Sequence, residues 1–202
     1  MVVYQEHIVP HLVNLAMRNR QLAPYRERTI RLAEGRVLEI GVGSGLNLPL
    51  YTDRATEILG LDPHPKLLAM ASEKARSVPS KLIEGSAESI PLDDASVDTV
   101  VSTWSLCTIR DLGAALAEIR RVVKRDGRLL FVEHGLAPED SVQKWQNRLT
   151  PFWKRLAGGC HLNRPISSLI ENAGFEIAKV QTGYMPGPKP MTFTYEGSAR
   201  PA

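Results

Sequence analysis

The residues best suited to chemistry lie in one short run, Glu39-Ile40-Gly41-Val42-Gly43-Ser44-Gly45, with Asp62 downstream. Glycines at the end of a strand let the backbone turn tightly and let a ligand come close to the main chain. The acid two residues before them brings negative charge to the same turn. The spacing excludes other glycine loops. A dinucleotide fingerprint, G-x-G-x-x-G, needs a third glycine where Leu46 stands. A Walker A loop needs Gly-Lys-Ser/Thr, which does not occur. Neither His-Glu-x-x-His nor a G-x-S-x-G elbow is present. Asp62 closes the second expected strand, where an acid can accept two hydrogen bonds from a ribose diol. The plainer reading of Asp62 is a turn residue before Pro63.

The elements that position these residues follow from hydrophobic spacing. Residues 5–30 read as helical, with Ile8, Leu12, Leu15 and Ala16 on one face, Pro10 in a first turn, and Pro24 as an interruption. Val37, Leu38 and Ile40 form a short buried strand, and a helix start is expected after the glycine turn. Further strands are expected at 57–62, 81–84, 97–103 and 128–133, with helices at 65–78 and 112–124. This alternation argues for an α/β domain with a parallel sheet and right-handed crossovers. Residues 138–165 read as a helical insertion. A last helix at 167–173 ends on Gly174, and 175–180 and 191–195 pair as terminal strands.

The chain has 202 residues, which favours one domain with its own core. A net charge of +3 is too small to argue for a nucleic-acid partner. No stretch approaches the roughly 18 apolar residues of a membrane span. The opening MVVYQEHIVPHLV lacks the features of a secretory leader, so a cytoplasmic location is expected. The Arg-rich N-terminal stretch allows peripheral membrane contact, but a lid helix is the favoured reading. Cys107 and Cys160 form no Cys-x-x-Cys pair, and the cysteine and histidine spacing fits no zinc pattern, so no metal site is expected.

Together, E-x-G-x-G-x-G, the acid ending the second strand, and GSAESIPLDDASVDTVVST resemble the class I S-adenosylmethionine-dependent methyltransferases, across residues 36–134. The resemblance implies a Rossmann-like seven-stranded sheet of order 3-2-1-4-5-7-6, strand 7 antiparallel, with helices on both faces. It implies S-adenosylmethionine as cofactor, S-adenosylhomocysteine as product and a small-molecule methyl acceptor. Gly41, Gly43 and Gly45 would line the methionine end, and Glu39 would orient the loop or contact the amino group. Asp62 would bind the ribose hydroxyls. Ser86, Ala87 and Glu88 match the adenine-side loop, and Ser102 and Thr103 match the end of strand 4. Residues 1–35 would form lid helices, and the 138–165 insertion would cover the acceptor. A sulfonium cofactor needs no phosphate-binding lysine, and its carboxylate suits backbone N–H donors at a glycine turn.

A narrower resemblance rests on TWSLCTIRD, GRLLFVEHG, WQNRLTPFWKRLAGGCHLNR and GYMPGPKPMTFTYEG. These are similar to bacterial relatives of the methyltransferase-like 7 proteins, which are alkyl thiol methyltransferases with an N-terminal hydrophobic anchor. No such segment is read here, so no stable membrane insertion is expected. A thiol or hydrosulfide is the implied acceptor. Quinone precursors, phospholipid headgroups and cofactor binding without turnover are the alternatives. His134, just past strand 5, and His161, in the insertion, are the candidate proton acceptors because imidazole titrates near neutrality. Trp104, Trp145, Phe152 and Trp153 are candidate walls of the acceptor pocket, with Tyr184, Met185 and Pro186 closing it.

Overall fold

The computed structural model describes residues 14–74 and 78–202; the expectations for 1–13 and 75–77 fall outside them. The strands are β1 (Gly35–Ile40), β2 (Ala55–Asp62), β3 (Ser80–Glu84), β4 (Val97–Thr103), β5 (Val123–His134), β6 (Phe175–Tyr184) and β7 (Phe193–Pro201). They form one sheet of order β3-β2-β1-β4-β5-β7-β6. Neighbours from β3 to β5 are parallel, and β7 is antiparallel to both β5 and β6. The order and the antiparallel strand agree with the expectation.

Both faces are covered because side chains alternate along each strand. Leu38, Ile40, Leu129 and Phe131 face one core, shared with Leu116 and Ile119 of α3 (Leu112–Val122) and Ile170 of α5 (Ile166–Asn172). Their neighbours Val37 and Leu130 face the other core, with Ile30 of α1 (Ala23–Ile30) and Leu68 and Ala71 of α2 (Pro65–Ser72). Asp111 caps α3, its side chain accepting from Ala114 N at 3.0 Å. Gly174 follows α5 with φ +84°, a left-handed helix stop.

The longest helix is α4 (Asp140–Leu156), with Pro151 inside it. Gln146 anchors it: Oε1 accepts from Ala137 N and Nε2 donates to Gly135 O, both at 3.0 Å.

Several boundaries differ from the expectation. Pro24 lies in the first turn of α1 and opens that helix, since a first-turn residue needs no N–H partner. The glycine turn leads into a single 3-10 turn, Leu48–Leu50, with Pro49 in it, and no α-helix forms before β2. β5 starts at Val123, directly after α3. Residues Lys189–Thr192 form a helical turn, α6, so the last strand begins at Phe193 and not at Met191.

Gly197 of β7 lies under tight contact. A Cβ there would meet Lys179 O at 2.3 Å and the Phe131 ring at 2.8 Å. Gly197→Ala is expected to cost about 1–3 kcal/mol of stability, read as a lower urea midpoint with cofactor affinity per folded molecule unchanged. An unshifted midpoint would show that β6 and β7 separate more easily than this packing implies.

Candidate active site

In open α/β sheets ligands bind outside the carboxyl ends of the strands. Here the ends of β1, β2 and β4 open into a cavity of about 700 Å³, the size of a cofactor site. Glu39, Gly41, Gly43, Asp62, Ser86, Ala87, Glu88 and Thr103 all line it.

The three glycines of the turn are left-handed, with φ +66° at Gly41, +55° at Gly43 and +72° at Gly45. The three positions differ in what surrounds them. A Cβ on Gly41 would strike Ser105 Oγ at 2.3 Å, and one on Gly45 would meet Leu48 at 2.9 Å and Ala71 at 3.0 Å. At Gly43 the nearest atom is Gly41 O at 3.8 Å, so this residue faces open space. Gly43 is therefore where a ligand can approach the main chain. Gly45 does not line the cavity and serves to pack the turn onto α2.

Asp62, nearly fully buried, joins this turn to the next loop. Its Oδ2 accepts from Gly43 N at 3.0 Å, and its Oδ1 accepts from His64 N at 2.9 Å. The same carboxylate raises the His64 pKa through its contact with the ring. A carboxylate has about four acceptor sites, so Asp62 keeps capacity for further donors.

Glu39 is buried, and both its oxygens have partners. Asn47 Nδ2 and Tyr51 OH donate to it, each at 2.8 Å. Burial pushes its pKa up to about 7, against those two hydrogen bonds and the nearby Arg26 guanidinium. Asn47 also donates to Thr103 Oγ1 at 3.0 Å and accepts from Arg26 Nη1 at 2.9 Å. Arg26 reaches from α1 across to Trp104, whose ring centroid lies 5.0 Å from the guanidinium carbon. Sequence reasoning missed Arg26 and Asn47 as site residues. Arg26 stood out only as part of a basic stretch, and nothing in its spacing signals that it turns inward.

Trp104 is the cavity residue with the most unusual backbone, φ +54° on a bulky non-glycine. Its indole nitrogen is buried and has no hydrogen-bond partner among the described residues. Ser86 donates to Glu88, and Asp111 N donates to the same carboxylate at 3.1 Å; these bonds lower the Glu88 pKa and hold that loop.

Other expected site residues lie elsewhere. Ser102 is fully buried, and its hydroxyl donates to Glu133 Oε1 at 2.7 Å; it does not line the cavity. His134 and His161 do not line it either. His134 Nδ1 lies 3.8 Å from Cys160 Sγ, and His161 Nδ1 lies 3.2 Å from Cys107 O. Trp145 and Phe152 of α4 are 55% and 66% exposed, so they wall no pocket. Trp153 and Met185 pack beside the two cysteines, and Tyr184 OH donates to Glu139 at 2.5 Å.

Comparison with known proteins agrees with this geometry. A methyltransferase domain model matches residues 38–131. The chain is 31% identical to a phosphatidylethanolamine N-methyltransferase of Cereibacter sphaeroides, over 76% of this chain and 75% of that one. The chain belongs to the class I S-adenosylmethionine-dependent methyltransferases. Within that family it is 35% identical to thiol S-methyltransferase TMT1B of Rattus norvegicus, over 75% of this chain and 64% of that protein. It thus spans less than two thirds of the thiol methyltransferase. Among solved structures, a putative methyltransferase of Bacillus halodurans shares the fold, with TM-score 0.72, 16% identity, and 90% and 99% of the two chains covered.

S-adenosylmethionine is the cofactor of this methyltransferase family, and the residues present fit it. The cavity volume suffices, Gly43 leaves its main chain open, and the cavity is lined by two buried carboxylates and one buried guanidinium.

Two predictions follow from these contacts. Gly43→Val would fill the open approach and strain a left-handed residue, and is expected to weaken S-adenosylhomocysteine binding at least about 10-fold with the fold retained. Normal binding in isothermal titration would move the ligand away from this turn. The second concerns Glu39, whose carboxyl keeps its proton to about pH 7 in the folded chain against 4.5 ordinarily. Between those values the folded chain binds more protons than the unfolded one, so this residue's contribution to stability falls as pH rises through that window. A ligand ammonium lowers the Glu39 pKa, so binding near pH 7 is expected to release protons and to tighten as pH rises. Titrations of S-adenosylhomocysteine in buffers of different ionisation enthalpy should show that release in the native chain and not in Glu39→Gln. The same dependence of heat on buffer ionisation enthalpy in both proteins would remove Glu39 from the linkage.

Proposed function

We propose that this methyltransferase acts on a small thiol or hydrosulfide and yields a methyl thioether or methanethiol together with S-adenosylhomocysteine. The observation that carries this reading is the division of the cavity wall. One part is built by the glycine turn, Asp62 and Ser86–Glu88; the other joins Trp104, Thr108, Ile109, Ala157 and Gly159 to the cations Arg110, Lys154 and Arg155, a mixed apolar and basic surface that suits an anionic thiolate. Similarity to thiol S-methyltransferases at 35% and 34% identity supports the same acceptor.

In this reading Asp62 holds the ribose hydroxyls, and Ser86, Ala87 and Glu88 flank the adenine. Glu39 and the open main-chain surface at Gly43 receive the methionine end, with Arg26 available to its carboxylate. S-adenosylmethionine, when bound, supplies an electrophilic methyl carbon on a sulfonium. The protein's part is to hold the acceptor in line and exclude water, since positioning supplies most of the catalysis in such a displacement. A thiol with pKa near 8.5 is already partly ionised at neutral pH. The acceptor's own acidity therefore suffices, in keeping with the absence of His134 and His161 from the cavity wall. The α1 segment and the α4–α5 connection cover the two sides of the cavity, as a lid and an acceptor cover would.

A second reading, transfer to a phospholipid headgroup amine, is supported by the similarity to the phosphatidylethanolamine enzyme. Release of S-adenosylhomocysteine distinguishes the two. It is measured with sulfide or a short alkyl thiol in one arm and phosphatidylethanolamine vesicles in the other. Thiol-dependent release is expected. Release only with vesicles would transfer the assignment to the amine, and cofactor binding with no release in either arm would overturn both.

A further inference from the structure

The fold brings together three side chains that the cofactor does not use. Cys107 Sγ lies 3.6 Å from Cys160 Sγ, and Cys160 Sγ lies 3.8 Å from His134 Nδ1. One ligand atom from each of the three residues lies within 4.8 Å of the others. We propose that Cys107, His134 and Cys160 form a binding site for a zinc-type divalent cation, behind the acceptor side of the cavity.

The geometry suits that ion. Tetrahedral Zn²⁺ with Zn–S near 2.3 Å and Zn–N near 2.0 Å places its ligand atoms roughly 3.5–3.8 Å apart. The Cys107–Cys160 and Cys160–His134 edges fall at that spacing, and the third lies within 4.8 Å. Two thiolates and one imidazole select zinc over magnesium or calcium, which prefer oxygen. Three protein ligands leave a fourth position for water or a small ligand.

The three residues come from separate elements, and each is fixed independently. His134 ends β5. Cys107 lies in the β4–α3 connection, which Glu133 holds by accepting from Ser105, Leu106 and Cys107 N–H at 3.0–3.1 Å. Cys160 lies between α4 and α5, and the next residue ties it to Cys107: His161 N donates to Cys107 O at 2.8 Å. Such pre-arrangement lowers the ordering cost of taking up an ion.

The Cys107–Cys160 contact drives Cys160 toward the thiolate, helped by His134 and the Trp153 indole against burial. The same contact pushes the Cys107 thiol up, as do burial and the nearby Glu133 carboxylate, so the ion itself must displace the Cys107 proton. The Trp153 N–H has no conventional acceptor of its own. Arg164, mostly buried, places a guanidinium nearby, donating to Ile109 O at 2.5 Å. Uptake of M²⁺ displaces the thiol protons to solvent, and two thiolates with a neutral imidazole then leave a site of no net charge. Trp104, Val132, Leu162 and Met185 enclose it with apolar surface. Thr108 and Gly159, the chain neighbours of Cys107 and Cys160, line the cavity, and His134, outside that lining, is the partly exposed member of the three. A bound ion would join the two connections that wall the acceptor.

The test uses the full chain, reduced and stripped with chelator, titrated with Co²⁺ as a spectroscopic probe. One equivalent is expected to give intense visible ligand-field bands of tetrahedral geometry and a sulfur-to-cobalt charge-transfer band, both abolished by Zn²⁺. Cys160→Ala and His134→Gln should each weaken Co²⁺ binding by about 100-fold or more, while His161→Ala retains it. S-adenosylhomocysteine binding by each variant verifies folding without reference to turnover. Zn²⁺ should raise the melting temperature of the native chain and not of Cys160→Ala. Absence of the tetrahedral spectrum, or its survival in folded Cys160→Ala, overturns the proposal. Ready formation of a Cys107–Cys160 disulfide in a chain that takes up no Co²⁺ when reduced overturns it in favour of a redox pair.

Discussion

Three strands carry a buried acid at or beside their carboxyl ends, and the site depends on how those charges are satisfied. Glu39 of β1, Asp62 of β2 and Glu133 of β5 are each 5% exposed or less. A buried carboxylate is costly unless hydrogen-bonded. Each meets that demand by drawing in a loop: Glu39 takes Asn47 and Tyr51, Asp62 takes the N–H of Gly43 and His64, and Glu133 takes three successive N–H groups from Ser105 to Cys107. The loops that form the cavity are thus shaped from beneath by the strands they follow. Removing one acid would leave several N–H or O–H groups unpaired together, a larger penalty than one lost bond.

This arrangement also explains why glycines cluster where they do. The turn after β1 must come within hydrogen-bonding distance of Asp62 while leaving its outer side free. The left-handed residues Gly41, Gly43 and Gly45 let it do both, and Gly43 lies where the turn faces the cavity. Trp104 takes a similar left-handed path without being glycine, and it is held there by Val132 O below, through its own N–H at 2.7 Å, and by Arg26 above. Strain of this kind persists where the surroundings determine it fully.

The sheet was legible in the residues because its strands are short aliphatic runs separated by helical periods, and the E-x-G-x-G-x-G run marked one end of the cavity. What escaped was governed by distance through space. Arg26 and Asn47 meet Glu39 and Thr103 through packing that no local spacing encodes. Cys107, His134 and Cys160 are far apart in sequence and converge only because β4, β5 and the α4–α5 connection end on the same side. Gly45 and Ser102 fit their motif by type, yet one packs on α2 and the other supports Glu133. The helix expected after the glycine turn failed because Pro49 and the early start of β2 leave only a 3-10 turn.

Pro151 divides α4 mechanically. A proline at this position has no N–H for Asn147 O, and its ring crowds that carbonyl. The half before it is held to the β5–α4 connection through Gln146. The half after it carries Lys154 and leads to Ala157 and Gly159, which wall the cavity. The acceptor-side wall is therefore joined to the anchored half across a gap in the helical ladder, and it is fixed instead from its far end, where His161 N donates to Cys107 O at 2.8 Å.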